Sequence, residues 1–196
     1  MALPSSFSTT SAQLDRVILQ TRINTRDNAL LNGIQVLSAP NARVQTQVPT
    51  LIKSDKAGME HFSLHYKGKT IGEIDLSPDS RFVEWIVNLD SKNLEHVGKA
   101  LMEFASKLCA LKNTGNAKPD MALDASSGSS LFYFKLGFRF DEDENTKNEQ
   151  LSRICSTQQV LTPQELLCNT PVGDMYLDLS KASRGPGDPR HLNALL

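Results

Sequence analysis

The sequence predicts a mixed α/β (α+β) fold in which a mostly antiparallel central sheet is flanked by helices. Three observations predict it. Residues 61–89 form three strand-like runs joined by short turns. Residues 97–112 carry apolar side chains at helical spacing, and residues 119–140 have the pattern strand, short helix, glycine turn, strand. Short turns favour antiparallel pairing, and the helices are needed to cover the apolar faces of the sheet.

The composition is typical of an ordinary soluble globular protein. Of 196 residues, 39% are hydrophobic and 22% are charged, which suffices for one domain with a substantial core. The formal net charge of −1 gives no electrostatic argument for a whole-chain interaction with nucleic acid or a membrane. We therefore expect no nucleic-acid partner and no membrane partner.

The three cysteines, Cys109, Cys155 and Cys168, are odd in number and widely spaced. This spacing argues against a disulfide framework and against a zinc site, and it favours a reducing compartment. Residues 1–13 lack a basic region followed by an apolar run, so they do not resemble a signal peptide. We expect a cytoplasmic protein that holds no metal.

Composition along the chain predicts three regions. Residues 1–11 are rich in Ser and Thr and are expected to be a disordered leader; residues 180–196, rich in Gly and Pro, are expected to be a disordered tail. A single domain would span 12–179, with an insertion at 141–173. Its first part, 12–31, suggests one or two short helices. The first strand is left open between 32–38 and 42–53.

Residues 61–89 predict an antiparallel meander. The first strand covers 61–66, a turn follows at 67–69, and the second strand covers 70–76. Gly72 interrupts the second strand, which indicates a β-bulge or a close approach of another backbone. The third strand covers 81–89. The side chains expected on the apolar faces of the first and third strands are Phe62, Leu64 and Tyr66, and Val83, Trp85, Val87 and Leu89.

The amphipathic segment 97–112 predicts a helix. Its expected apolar face is formed by Val97, Leu101, Phe104, Ala105, Leu108 and Leu111, and its expected water-facing residues are Lys99, Glu103, Ser106, Lys107 and Lys112. A strand at 119–125, a short helix through Tyr133 and a strand from Phe138 follow. The acidic stretch 141–149 is interpreted as a solvated loop or, alternatively, as a surface that attracts a cationic acceptor.

Two further elements are predicted near the C-terminus. A proline at position 163 follows Thr162 and precedes Glu165, which is typical of a helix start. Residues 174–179 alternate as a last strand.

The run A-S-x-x-x-x-x-F-Y-x-K-L-G-F at residues 125–138 resembles the closing motif of the GNAT superfamily of acetyl-CoA-dependent N-acetyltransferases. The predicted order of elements is similar to the family's order from its second to its seventh strand. The resemblance covers 61–140 and 174–179. It implies a GNAT-like fold, acetyl-CoA as co-substrate and a tyrosine, Tyr133, that protonates the departing thiolate of coenzyme A.

The resemblance also implies where the cofactor binds. The family's pyrophosphate loop, Q/R-x-x-G-x-G/A, aligns with residues 95–100, where Glu95 replaces the usual Gln or Arg and His96 stands where an additional Gly is common. Acetyl-CoA would lie between the strands at 81–89 and 119–125. The residues expected to bind it are Val97, Gly98, Lys99 and Ala100 at the helix start, and Ser126 and Ser129. Backbone N–H groups near Val87 and Leu89 would hold the pantetheine arm and polarise the thioester carbonyl.

The proposed roles leave alternatives open. Glu84 is the first choice for a general base, acting directly or through water, with Glu73, Asp75 and Asp124 as rivals. Tyr133 is equally compatible with a core aromatic. Glu95 is equally compatible with an acid at a helix start, where the helix dipole favours negative charge.

We therefore expect an N-acetyltransferase that transfers an acetyl group from acetyl-CoA to an amine acceptor by direct attack. The acceptor is an amine-bearing small molecule, a peptide N-terminus or a protein lysine, and the sequence does not choose among them. A longer acyl group and the oligomeric state are equally open. The alternative is a catalytically inactive GNAT-fold binding or interaction protein, which Glu95 in the loop and the insertion at 141–173 favour.

Overall fold

The computed structural model describes residues 8–27, 29–31, 33–37, 48–56, 58–113, 120–157 and 160–179. Contacts divide the chain into two compact units, unit 1 (residues 1–116) and unit 2 (residues 117–196). Each unit combines helices with a mostly antiparallel sheet, which confirms the predicted mixed α/β class. The prediction of one domain over 12–179 stays a prediction. The tail at 180–196 and residues 1–7 of the leader lie outside the described residues.

Unit 1 is built around a meander and one long helix. Its sheet has the strand order β2-β3-β4-β5-β6, in which β2 and β3 are parallel and the other neighbours are antiparallel; β1 and β7 pair separately. The elements are α1 (Ser11–Leu14), β1 (Asn24–Thr25), β2 (Gln35–Leu37), β3 (Thr50–Lys56), β4 (Met59–Tyr66), β5 (Lys69–Leu76), β6 (Phe82–Asn88), β7 (Leu94–Glu95) and α2 (Val97–Lys112).

The meander and α2 were predicted within two residues at each end. Each of the two candidate regions for the first strand contributes a strand, β2 and β3. Of the one or two short helices predicted at 12–31, one is present as α1, and residues 15–23 contain no second one. The disorder expected in the leader is wrong for residues 8–11, where Thr9 is buried and Thr10 caps α1.

The core of unit 1 lies between α2 and one face of the sheet. The rings of Phe62 on β4 and Phe104 on α2 meet edge to face with their centroids 4.7 Å apart. Leu64, Ile74 and Val83 are also buried. Apolar side chains of both elements leave water together, which is the main stabilisation expected for such a layer.

Gly72 shows both features that its position in the sequence predicted. Leu64 pairs with Gly72, whereas His65 pairs with Thr70, so Ile71 is an extra residue in a β-bulge. A Cβ atom added to Gly72 would lie 2.6 Å from Cγ1 of Val97. Only glycine therefore permits α2 to begin this close to β5.

A second bulge changes the exposure predicted for β6. Val83 pairs with Leu76, whereas Trp85 pairs with Asp75, so Glu84 is the extra residue. An extra residue exchanges the two faces of a strand. Trp85 is therefore 47% exposed and Leu89 is 51% exposed, and their predicted place on the same apolar face as Val83 is wrong.

Three residues of α2 predicted to face water are instead enclosed. Glu103 is 3% exposed and accepts the backbone N–H groups of Gln20 at 2.8 Å and Thr21 at 2.7 Å. Ser106 is 2% exposed and donates to its own helix. Lys112 binds Glu60 at 2.5 Å. The N-terminal segment covers this side of the helix, which the periodicity of α2 does not reveal.

Glu60 is a buried carboxylate that joins four parts of unit 1. It accepts hydrogen bonds from the N–H and hydroxyl of Thr9, from Ser80 at 3.2 Å and from Lys112, and it lies 3.1 Å from Lys53. Burial alone would raise the pKa of Glu60, but the hydrogen bonds from Lys112 and Thr9 lower it below its ordinary value.

Unit 2 contains a three-stranded antiparallel sheet with the order β8-β10-β9. Its elements are β8 (Asp120–Ala125), α3 (Ser130–Lys135), β9 (Arg139–Phe140), a 3₁₀ turn (Glu142–Glu144), α4 (Asn145–Ser156), α5 (Pro163–Asn169) and β10 (Gly173–Asp178).

The predicted helix start at Pro163 is confirmed. Thr162 and Glu165 form a reciprocal capping box around it. The solvated loop expected at 141–149 is wrong, because these residues form the 3₁₀ turn and the first part of α4. Within the described parts of both units, none of the helices combines the length and the apolar character that crossing a bilayer requires.

Replacing Glu60 by Gln tests the buried carboxylate. Because its pKa is lowered in the folded state from an ordinary value of 4.5, its stabilisation is present above that pH and is lost as pH falls through the lowered value. At neutral pH we expect Glu60→Gln to reduce the free energy of unfolding by about 3–5 kcal/mol, since Lys112 stays buried without its anion.

Urea unfolding between pH 7 and pH 3 measures both effects. Glu149→Gln is the matched control, because its ion pair with Arg153 is exposed on both sides and such pairs contribute at most about 1 kcal/mol. A Glu60→Gln variant as stable and as acid-sensitive as the control would contradict the prediction.

Candidate functional site

The N-terminus of α2 is the first part of the candidate site. His96 is its N-cap residue, with a left-handed φ of 67°, and no side chain caps the helix. Val97 is fully buried, whereas Glu95 and His96 are exposed. An uncapped helix start presents backbone N–H groups and the positive end of the helix dipole, which together suit an anion.

The loop before α2 is held by backbone pairing. Glu95 pairs with Asn24 and Leu94 with Thr25 in the β1–β7 ribbon, and the N–H of Arg26 donates to the Asn93 carbonyl at 3.0 Å. Glu95 therefore belongs to β7, and the first turn of α2 contains no acidic residue. Glu95 directly precedes the N-cap residue, and its interpretation as an acid at the helix start stays a prediction.

A cavity of about 550 Å³ lies beside this loop within unit 1. Four cations and two acids line it, which gives a formal net charge of +2. They are Arg26, Lys67, Lys69 and Lys92, and Asp27 and Asp90. The sequence analysis missed this basic cluster, because Lys67 and Lys69 were interpreted only as turn residues. The hairpin turn itself was the available signal, since it projects both lysines at one end of the meander.

Lys99, in the first turn of α2, is half-buried. Burial lowers the pKa of its ammonium group, and the nearby Glu103 carboxylate acts in the opposite direction. Its neighbours Gly98 and Ala100 lie on the same turn, and the Ala100 N–H donates to the His96 carbonyl at 2.9 Å.

The backbone donors predicted on β6 need a correction. The N–H of Leu89 donates to the Ile71 carbonyl at 3.0 Å, so it is not free for a ligand. Antiparallel partners alternate in their bonding, and Val87 pairs with Glu73 in the same phase as Leu89 with Ile71. The N–H of Val87 therefore also points towards β5. The N–H groups directed away from β5 belong to Ile86 and Asn88.

The four carboxylates considered as a general base differ in setting. Glu84 is exposed at the bulge of β6, and Asp124 is exposed on β8 of unit 2. Asp75 is 3% exposed; burial alone would raise its pKa, but hydrogen bonds from Lys56 and His61 lower it. A lowered pKa makes Asp75 a weak base. Glu73 is half-buried between Ser63 and Val87.

The residues predicted in unit 2 lie on the β8–α3 loop and on α3. The Ser129 hydroxyl donates to the Ser126 carbonyl at 2.7 Å, and the hydroxyl oxygens of the two serines are 3.3 Å apart. Helix α5 and its C-cap support the loop, because the Gly128 N–H donates to the Thr170 hydroxyl and the Ser127 hydroxyl to the Leu167 carbonyl. The loop is thus closed by its own contacts.

Tyr133 is 8% exposed on α3. Its ring meets Phe132 and Phe138 edge to face, with centroid distances of 5.2 Å and 6.0 Å. Burial raises the pKa of its phenol. The core interpretation of Tyr133 is correct as a description of its packing, and a phenol that stays protonated remains compatible with a role as an acid.

Within unit 1 the structure brings β6, β5 and the start of α2 together. A Cβ atom added to Gly72 would lie 3.1 Å from the Val87 carbonyl oxygen and 2.6 Å from the Val97 side chain. The predicted residues of β6 and of 97–100 are therefore neighbours. Tyr133, Ser126 and Ser129 form their own group within unit 2.

Comparisons of the chain with models of protein families, with curated proteins and with solved structures found no match. Among the residues with described positions, no three His, Cys, Asp or Glu side chains are grouped so that they could hold a metal ion. The motifs and the geometry of each unit are therefore the basis for a functional proposal.

The left-handed conformation of His96 predicts how substitutions at this position change the stability of the protein. Residues with a Cβ atom are strained at a positive φ by roughly 1–2 kcal/mol, whereas glycine is not. We expect His96→Gly to leave the midpoint of thermal unfolding unchanged or to raise it. His96→Val, which is β-branched, is expected to lower the free energy of unfolding by about 1 kcal/mol or more. An equal loss of unfolding free energy in the Gly and Val variants would contradict the left-handed conformation of His96.

Proposed function

We propose that this chain is a GNAT-type N-acetyltransferase that transfers an acetyl group from acetyl-CoA to an amine acceptor by direct attack. The observation that carries the proposal is the conformation of His96. It stands where the family's loop commonly has an additional glycine, and its φ of 67° is one that glycine adopts without strain. Gly98 and Ala100 follow at the family's spacing, on a helix start without a side-chain cap.

The basic cavity supports the binding of a phosphate-bearing co-substrate. Its four cations lie on three segments that precede α2 in unit 1. Arg26 follows β1, Lys67 and Lys69 lie at the β4–β5 turn, and Lys92 lies between β6 and β7. Two unit charges about 4 Å apart interact by roughly 1 kcal/mol in water and about 4 kcal/mol at an effective dielectric constant near 20. A Glu95 carboxylate about 4 Å from a pyrophosphate would cost this much, and a cation at the same distance would offset it.

In unit 1, backbone groups and the Glu84 side chain of β6 would take part in the acetyl transfer. The resemblance places the pantetheine arm near Val87 and Leu89, whose own N–H groups are directed to β5. The amine nitrogen would attack the thioester carbonyl. Glu84, or a water molecule that it binds, would take the proton that the amine loses.

Tyr133 would complete the reaction as an acid, as the resemblance implies. When the carbon–sulfur bond breaks, coenzyme A leaves as a thiolate that needs a proton. A phenol has an unperturbed pKa of about 10, and burial raises the pKa of Tyr133 further. The group therefore holds its proton at neutral pH and can supply it once the thiolate has formed.

The second candidate is a catalytically inactive GNAT-fold binding or interaction protein. The observation that favours it is the exposed carboxylate of Glu95 in the strand that leads directly into α2. Its charge acts against an anionic ligand at the helix start. The acceptor of the enzyme, a small amine or the amino group of a peptide or protein, stays open under the first candidate.

Calorimetric titration with acetyl-CoA tests the co-substrate. We expect micromolar binding by the unaltered chain and about tenfold tighter binding by Glu95→Gln, which removes roughly 1.4 kcal/mol of repulsion. Lys92→Gln is expected to weaken binding by a similar factor. Glu142→Gln, in the 3₁₀ turn of unit 2, is the control for a change in net charge. Binding by Glu95→Gln alone would favour the inactive protein, and binding by neither would refute the co-substrate.

Replacing Tyr133 by Phe separates catalysis from binding. We expect the dissociation constant of acetyl-CoA to stay within about twofold and kcat to fall by about 10²–10⁴, the usual contribution of a positioned acid. Tyr176→Phe is the control, because Tyr176 is a partly exposed tyrosine of the same unit. The release of free thiol measures turnover with a panel of amines. Unchanged kcat in Tyr133→Phe would refute the assigned role.

A further inference from the structure

A serine, a histidine and an aspartate lie in line on one face of the unit 1 sheet. His61 and Ser63 are two residues apart on β4, so their side chains point to the same face, and Asp75 is directly opposite His61 on β5. The Ser63 hydroxyl oxygen lies 3.3 Å from Nε2 of His61. On the other side of the ring, Nδ1 of His61 lies 2.5 Å from Oδ1 of Asp75.

Asp75 determines the orientation of the ring. It is 3% exposed, and its second carboxylate oxygen accepts a hydrogen bond from Lys56 at 2.6 Å. An ionised carboxylate can only accept, so Nδ1 of His61 is the donor in this contact. In the neutral ring Nε2 then carries a lone pair and can accept the hydroxyl proton of Ser63. Nucleophile, base and orienting carboxylate thus stand in the relation that activates serine in hydrolases of unrelated folds.

We propose that Ser63 is a nucleophile, activated by His61 and positioned through Asp75, that accepts an acyl group from an activated ester. This site uses residues other than those of the proposed acetyl-CoA site, and the proposal for Ser63 does not depend on acetyl transfer from acetyl-CoA. Its substrate class is a small ester or an equivalent acyl donor with a good leaving group.

The step is a nucleophilic substitution at the carbonyl carbon. Ser63 Oγ forms a bond to this carbon while its proton moves to Nε2 of His61. The bond to the leaving alkoxide or phenolate then breaks, and His61 returns the proton to the leaving oxygen. An acyl ester of Ser63 and a free alcohol result, and no oxidant, reductant or metal is needed.

The surroundings of Ser63 limit the rate at which it accepts an acyl group. β4 lies between β3 and β5, so its backbone N–H groups are committed to the two ladders. The cross-strand neighbours of Ser63 are Ile52 on β3 and the carboxylate-bearing Glu73 on β5. Neither stabilises a developing oxyanion, and each missing donor costs about 10²–10³ in rate. The site is therefore expected to react only with activated donors, and the acyl group is expected to stay on Ser63 for minutes or longer.

A fluorophosphonate probe on the full-length chain tests the nucleophile. Ser63 Oγ would bond to phosphorus while the phosphorus–fluorine bond breaks, and the hydroxyl proton leaves through His61. We expect peptide mass spectrometry to find the label on Ser63. His61→Gln and Asp75→Asn are expected to slow labelling at least tenfold, and Ser63→Ala to abolish it. Ser54→Ala is the matched control, because Ser54 is the exposed serine opposite His61 on β3.

A second pair of variants keeps the test decisive if Asp75→Asn fails to fold. Ser63→Cys places a thiol beside His61, and the double variant Ser63→Cys/His61→Gln places the same thiol on β4 without the imidazole. We expect iodoacetamide to alkylate residue 63 at least tenfold faster in the single variant than in the double variant, as peptide mass spectrometry would measure. Circular dichroism checks that each variant is folded. Labelling at residues other than Ser63, equal rates in the folded His61→Gln variant, or equal alkylation of residue 63 in the single and double variants would overturn the proposal.

Discussion

The close approach of α2 to β5 at Gly72 is the constraint on which the candidate site in unit 1 depends. The Val97 side chain occupies the space where any other residue at position 72 would place its Cβ atom. This contact fixes the depth at which the helix begins, and with it the position of the backbone N–H groups of its first turn. The bulge at Ile71 lies directly beside Gly72 on β5.

Two buried carboxylates then hold the N-terminal segment against this frame. Glu60 binds the backbone and side chain of Thr9, and Glu103 binds the backbone of Gln20 and Thr21. Both are compensated by lysines, Lys112 and Lys107 respectively. Charge-assisted hydrogen bonds to backbone N–H groups are stronger than neutral ones, so a segment with little regular secondary structure is held on the outer side of α2.

The parts of unit 1 that the sequence predicted are those governed by local patterns. Turn residues set the β4–β5 hairpin, and apolar spacing set the limits of α2. The exposure of Trp85 was not predictable, because the bulge at Glu84 is decided by the pairing with β5 and not by β6 itself. The burial of Glu103 was hidden for a similar reason. A carboxylate on the polar face of a helix gives no local sign that a segment 82–83 residues earlier will bind it.

The same distinction applies to the candidate site. The motif at 125–138 and the loop at 95–100 could be found because each is short and contiguous. The phase of the β6 hydrogen bonds could not, since a shift of one residue decides whether the N–H groups of Val87 and Leu89 point towards β5 or away from it. The line from Ser63 through His61 to Asp75 was equally hidden, because it needs the exact register between β4 and β5.

The balance of charge at the start of α2 decides between the two candidate functions. The helix dipole is a property of the fold, and it persists whichever residue occupies position 95. Glu95 opposes it with one unit of charge, while the cavity beside the loop contributes a formal +2. At physiological ionic strength charges act over about 8 Å, so only the cations close to the bound anion count. A single substitution in the loop therefore changes affinity by a modest factor, and loss of the co-substrate would require the loss of several of these groups together.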